Sequence, residues 1–249
     1  MKVPMRRRGH AATVVALMRS HTPAKLLGVV ACSMLLAACG SSGSSTSSSS
    51  TAASSSAATT PPTSATPTGT TSDQATIGFE GVPIESGPVL APAGTTGTAN
   101  VDGIQCGATE QLAYHIHAHL AVFVDGKQYA LPGGIGIPGS AIYQTPRGPV
   151  AAGGKCIYWL HTHAPDGIIH VESPTQRIYT LGNFFDEWRQ PLSATSVGTV
   201  KGKLTAFVNG KVWTRNIRDI PLVAHADIQL DTGSPTPPLQ KVDWAQTQL

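Results

Sequence analysis

The stretch Tyr114-His115-Ile116-His117-Ala118-His119-Leu120 places three histidines at alternate positions of an otherwise apolar run. An extended strand has a side-chain period of two, so the three imidazoles leave one face while Ile116, Ala118 and Leu120 leave the other. On a helix, residues i and i+2 lie about 200° apart and do not converge. The run is therefore a strand with one apolar and one imidazole face. A second cluster, His161-Thr162-His163, is followed after a short turn by His170.

The surrounding signals are also β. His119–Tyr129 is an apolar run entering an Asp125-Gly126 turn, and Lys203–Trp213 repeats the unit with Asn209-Gly210. Asp-Gly and Asn-Gly supply the positive φ angles that two-residue hairpins require. The shared Leu-x-x-Phe-Val-(Asp/Asn)-Gly-Lys has the form of an internal duplication. Lys155–Leu160 and Ile168–Glu172 form a further hairpin around Ala164-Pro165-Asp166-Gly167, and Ala224–Leu230 is the last strand. A four-residue turn pairs His161 with His170 and puts His161, His163 and His170 on one face. A three-residue turn with Gly167 as a bulge pairs His170 with Thr162 and reverses it. The four-residue turn is the one expected.

One short helix is expected over about 183–190. Asn183 is its cap, Asp186 and Glu187 fall in its first turn, Phe185 and Trp188 form its apolar pair, and Pro191 follows its end. The fold expected is mainly β, an antiparallel sandwich or small barrel with one short helix. The domain proper spans 101–230, behind an extended lead-in over 77–100. A Pro- and Gln-containing tail over 231–249 reads as loose.

The N-terminal third is organised differently. Lys25 precedes the apolar run Leu26–Ala38, too short for a comfortable membrane span of about 20 residues. Residues 39–76 are dominated by Ser, Thr, Ala and Pro with no apolar periodicity, the composition of a disordered tether. The junction Leu36-Ala37-Ala38-Cys39-Gly40 resembles the lipobox of bacterial lipoproteins. That resemblance implies a signal peptide over 1–38, acylation of Cys39 and anchoring to the cell membrane, with the rest of the chain outside the cytoplasm. Six of the 17 basic residues precede Cys39, so cleavage leaves 11 basic against 14 acidic residues, a net charge of −3. Nucleic-acid binding then loses its electrostatic basis.

With Cys32 removed in the signal and Cys39 lipidated, Cys106 and Cys156 remain as an even pair, read as a disulfide in an oxidising compartment. All four methionines also precede Cys39. Soft sulfur ligation of Cu(I) is thereby excluded, whereas imidazole suits Zn(II), Cu(II), Ni(II) or Fe(II), with Zn and Cu(II) leading. Cys106 lies nine residues before His115 and Cys156 five before His161, so their bridge draws the two histidine clusters together.

The candidate ligands are His115, His117, His119, His161, His163 and His170. His119 is the weakest, because a compact tetrahedral site seldom uses three consecutive same-face residues. Glu172 shares a face with His170 as a supporting acceptor or, in an enzyme, a general base. His225 reads as a core histidine, Asp166 as a turn residue.

The segment from Gln105 to about Leu192 resembles exported bacterial and archaeal proteins of unknown function that share His-x-His-Ala-His-Leu, Tyr-Trp-Leu-His-Thr-His, Gly-Ile-Ile-His-Val-Glu and Phe-Phe-Asp-x-Trp. That resemblance implies a site and no reaction. His115-Ile116-His117 also looks like the His-x-His of cupins, which next require a glutamate where this chain has Ala121–Val124. Three functions are expected: metal buffering, delivery or sensing outside the cell; a metal-dependent hydrolase or oxygenase with an open coordination position; and a pH-responsive interaction surface without metal. No Gly-x-Ser-x-Gly or phosphate loop supports another enzyme class.

Overall fold

The computed structural model describes residues 75–94 and 97–249. The expected signal peptide, Cys39 and the tether up to residue 74 lie outside the described residues.

The histidine strand, β1 (Tyr114–Val124), is the spine of a seven-stranded sheet. The others are β2 (Lys127–Tyr129), β3 (Leu160–His161), β4 (Ile168–Ser173), β5 (Leu204–Val208), β6 (Lys211–Trp213) and β7 (Ala226–Thr232). The path runs β6-β5-β7-β1-β4-β3, with β2 also paired to β1. One edge of β1 is divided between β4, over Tyr114–His119, and β2, over Val122–Val124. The other edge pairs with β7 over Ala118–Val124. That pairing is parallel, whereas the remaining pairs are antiparallel. The path is open at β6 and β3, so the small-barrel alternative falls. Short antiparallel ribbons surround the sheet, among them Ala141–Thr145 with Gly148–Ala152.

Both Asp-Gly and Asn-Gly hairpins form as expected, with φ of 49° and 74° at Asp125 and Gly126 and 50° and 78° at Asn209 and Gly210. Alternation along β1 then divides the molecule. Ala118, Leu120 and Val122 enter the main core with Phe184, Phe185 and Trp188, leaving the odd-numbered residues to the opposite face.

The single α-helix among the described residues, α1 (Leu181–Trp188), begins two residues earlier than expected. Thr180, not Asn183, is the cap. Its hydroxyl accepts from the Asn183 N–H while Asn183 Oδ1 accepts from the Thr180 N–H, a reciprocal capping box. Asp186 and Glu187 consequently leave the first turn. Asp186 pairs with Arg218, and Glu187 is fully buried.

Lead-in and tail are both tied to the sheet. Leu90 N–H donates to Ala130 O at 2.9 Å and Trp188 Nε1 to Pro92 O at 2.8 Å. In the tail, Trp244 stacks on His225 at 4.6 Å and donates to Asp227 Oδ1 at 3.2 Å. Gln248 N–H reaches Glu80 O at 3.3 Å. The stretch that composition marks as loose is thus anchored at several points, and β7 extends to Thr232. His225 is exposed, with φ of 59°, and is not a core residue.

Cys106 and Cys156 are bonded, with Cα atoms 5.4 Å apart and a sequence separation of 50. Loop-closure entropy for such a separation gives a stabilisation of about 4 kcal/mol. A Cys106→Ser/Cys156→Ser variant should lower the unfolding free energy by about that amount in chemical denaturation; an unchanged midpoint and slope would contradict it.

Candidate metal centre

The centre is assembled by register. On β1 and β4, His117 stands opposite His170 and His115 opposite Glu172. On β4 and β3, His170 stands opposite His161. Directly opposed residues have Cβ atoms about 4.5–5.5 Å apart, so three neighbouring strands bring His117, His170 and His161 into one row with His115 and Glu172 beside it. The ladder ends at His161 and His170, so the connecting loop spans 162–167 and not the expected four residues, although the register is the one that turn predicts. Gly167 closes the loop at φ of 78°, and a Cβ there would fall 2.7 Å from both His119 Nε2 and Leu120 O. His161 and His170 consequently share a face, as the first register requires. His163 leaves β3 on a loop fixed by Ala151 N–H donating to its carbonyl at 2.7 Å.

Donor atoms converge closely. His115 Nε2 lies 3.0 Å from His117 Nε2 and 3.1 Å from Glu172 Oε1, which is 3.4 Å from His170 Nδ1. Tetrahedral coordination with bonds of about 2.0–2.1 Å requires ligand–ligand separations of about 3.3 Å. His115, His117, His170 and Glu172 therefore fit one four-coordinate ion of the Zn type. Candidate ligand atoms also group as His161, His163 and His170, and as Glu110, His161 and Glu172, each set within 4.8 Å.

The far sides of three rings are held as metal-binding histidines require. His161 Nδ1 faces Tyr158 O at 2.9 Å and His163 Nδ1 faces Ala151 O at 3.1 Å. A carbonyl can only accept, so each Nδ1 carries the proton and each Nε2 presents its lone pair. His170 Nε2 faces Glu80 Oε1 at 2.7 Å, a carboxylate–imidazole pair that turns Nδ1 towards Glu172. His161 Nε2, His170 Nδ1 and Glu172 Oε2 are buried without a hydrogen-bond partner. Each buried polar atom left unsatisfied costs about 1–3 kcal/mol, a strain that an ion among them removes.

His119 does not join. Alternate strand residues are about 6.7 Å apart, which places it about 13 Å from His115. Among the described residues it lies outside every candidate ligand group. It borders a separate pocket with Glu85 and Gln128, and burial lowers its pKa to about 4.

Sequence reasoning missed Glu80 and Glu110. Glu80 is 2% exposed and arrives from the lead-in, 90 residues before its partner. Glu110 Oε1 lies 3.4 Å from His163 Nε2. Each is an isolated acid in a loop, with no periodic signal. Asp166, read as a turn residue, does serve the turn, its carboxylate accepting from Ile168 N–H at 3.2 Å. The centre opens on a cleft of about 420 Å³ bounded also by Phe79, Val150 and Leu249.

Electrostatics separates the rings. Burial, reinforced by neighbouring His170 and His115, lowers the His117 pKa to about 3, and burial with His170 and His163 holds His161 well below the usual range. For His170 burial acts in the same direction but is outweighed by the carboxylates of Glu172 and Glu80 on either side of the ring, which raise it to about 9. Burial opposes ionisation of Glu80, yet its hydrogen bond to His170 lowers its pKa overall. Comparison of the chain with protein-family models, curated proteins and solved structures finds no match.

A metal at His170 Nδ1 must displace the proton that the folded, metal-free protein keeps up to about pH 9. Metal binding should therefore release about one proton per ion at pH 7.5, and apparent affinity should rise about tenfold per pH unit from 6.5 to 9. Calorimetry in buffers of different ionisation enthalpy measures both. A pH-independent affinity over that interval would contradict the assignment of His170.

Proposed function

We propose that the chain is a lipid-anchored, extracytoplasmic protein that binds Zn or Cu(II) through His115, His117, His170 and Glu172, and buffers, delivers or senses that ion. The observation that carries this reading is the convergence of three imidazole nitrogens and one carboxylate oxygen within 4.8 Å of one another, three of their separations being 3.0–3.4 Å. The donor set is nitrogen and oxygen, matched to borderline divalent ions. The signal-like N-terminus and the lipobox cysteine Cys39 support the location.

A resident role is favoured over turnover by the position of Glu172. It is the residue that would act as general base in a hydrolase, and it lies among the ligand atoms instead. The cleft on the centre is the observation that favours the enzymatic alternative, because it offers a path to the ion. The metal-free, pH-responsive surface is disfavoured by burial of His117, His161 and His170.

Competition with a chromophoric chelator tests the reading. Removing ligands should cost at least about 100-fold in Zn affinity in a His117→Ala/Glu172→Gln variant, since changes even to groups supporting the ligands typically cost 10–100-fold. A wild-type protein that leaves the chelator fully loaded rejects it. For the anchor, Cys39→Ala should move the chain from the membrane to the soluble fraction. Retention in the membrane would overturn lipidation at that residue.

A further inference from the structure

The centre has more ligands than one ion can use. Seven side chains take part in its three ligand groups: Glu110, His115, His117, His161, His163, His170 and Glu172. A Zn-type ion takes four. Once His115, His117, His170 and Glu172 Oε1 are assigned, His161 and His163 remain with both Nδ1 atoms tied to carbonyls and both Nε2 lone pairs uncommitted to the first ion.

What faces those lone pairs is again a set of acceptors. His161 Nε2 lies 3.9 Å from Glu172 Oε2, and both atoms are buried without a hydrogen-bond partner. Two lone-pair acceptors turned towards each other at that distance lack the cation between them. His163 Nε2 faces Glu110 Oε1 at 3.4 Å, close to the tetrahedral edge, and the His161 and His163 rings are 4.9 Å apart. Glu110 is 39% exposed, so its side chain is free to adjust. Glu172 thus presents Oε1 to one group and Oε2 to the other.

We propose that this is a dinuclear centre holding two divalent ions of the Zn or Cu(II) type, bridged by the Glu172 carboxylate. The first ion takes His115, His117, His170 and Glu172 Oε1. The second takes His161, His163, Glu110 and Glu172 Oε2. The inference rests on the metal-binding reading above and adds the second ion. The two oxygens of one carboxylate hold the ions at about 3.5–4 Å, the separation used by two-metal sites. His170, stacked on His161 with ring centroids 5.1 Å apart, fills the wall between them.

The test is titration of the full-length chain, purified without a His-tag, with Cu(II), followed by electron paramagnetic resonance. Cu(II) binds nitrogen and oxygen sites more tightly than Zn(II), so a Zn site also takes it. The expected result is two equivalents bound, with the mononuclear signal of the first weakening or broadening as the second enters. A His161→Ala/His163→Ala variant should bind one equivalent with an uncoupled signal. Should that variant misfold, as circular dichroism would reveal, Glu110→Gln serves in its place and should weaken the second ion at least tenfold while leaving the first unchanged.

Binding of a single equivalent overturns the dinuclear centre and leaves the metal-binding reading standing. Two uncoupled equivalents overturn the bridge. A second equivalent that persists unweakened in both variants lies elsewhere and overturns the assignment. Binding of none removes both readings.

Discussion

The structure depends on placing many imidazole and carboxylate ligand atoms in one small volume. Imidazoles from β1, β3 and β4, with Glu172, turn their ligand atoms inward, while Tyr158 O, Ala151 O and Glu80 hold far nitrogens of His161, His163 and His170. Such an arrangement is poor in hydrogen bonds by construction. His161 Nε2, His170 Nδ1 and Glu172 Oε2 are all unsatisfied. Bare convergence of this kind opposes folding, and the extended core beneath it, from Leu120 to Trp188, supplies the compensating burial. The disulfide, the lead-in and the tail each add a further tie around the sheet.

The division of β1 into an apolar and an imidazole face was legible because a period of two needs no knowledge of the partners. The register of His170 was legible for a related reason: turn length decides which residues face each other, and Ala164–Gly167 offered two options. Direction was not legible. Alternation reads the same for parallel and antiparallel neighbours, so the parallel β7 partner of β1 left no mark. The helix start was misplaced because Thr180 and Asn183 are both good caps and work here as a reciprocal pair.

Within the site, residues on strands could be found and residues on loops could not. Glu172 follows His170 at strand spacing and was visible. Glu80 and Glu110 are delivered by irregular backbone, whose path no local pattern encodes. His119 shows the limit of periodicity itself. Sharing a face with His115 and His117 says nothing about distance along the strand, and strand rise carries it out of the cluster.

The central claim is that His115, His117, His170 and Glu172 enclose a metal ion. Anomalous diffraction from a crystal of the Zn- or Cu(II)-loaded chain, collected on both sides of the metal's absorption edge, tests it most directly. The account predicts a strong edge-dependent peak about 2.0–2.1 Å from the ligand atoms of those four residues. A fully loaded crystal whose only peaks lie at His119, at His225 or elsewhere on the surface would contradict it.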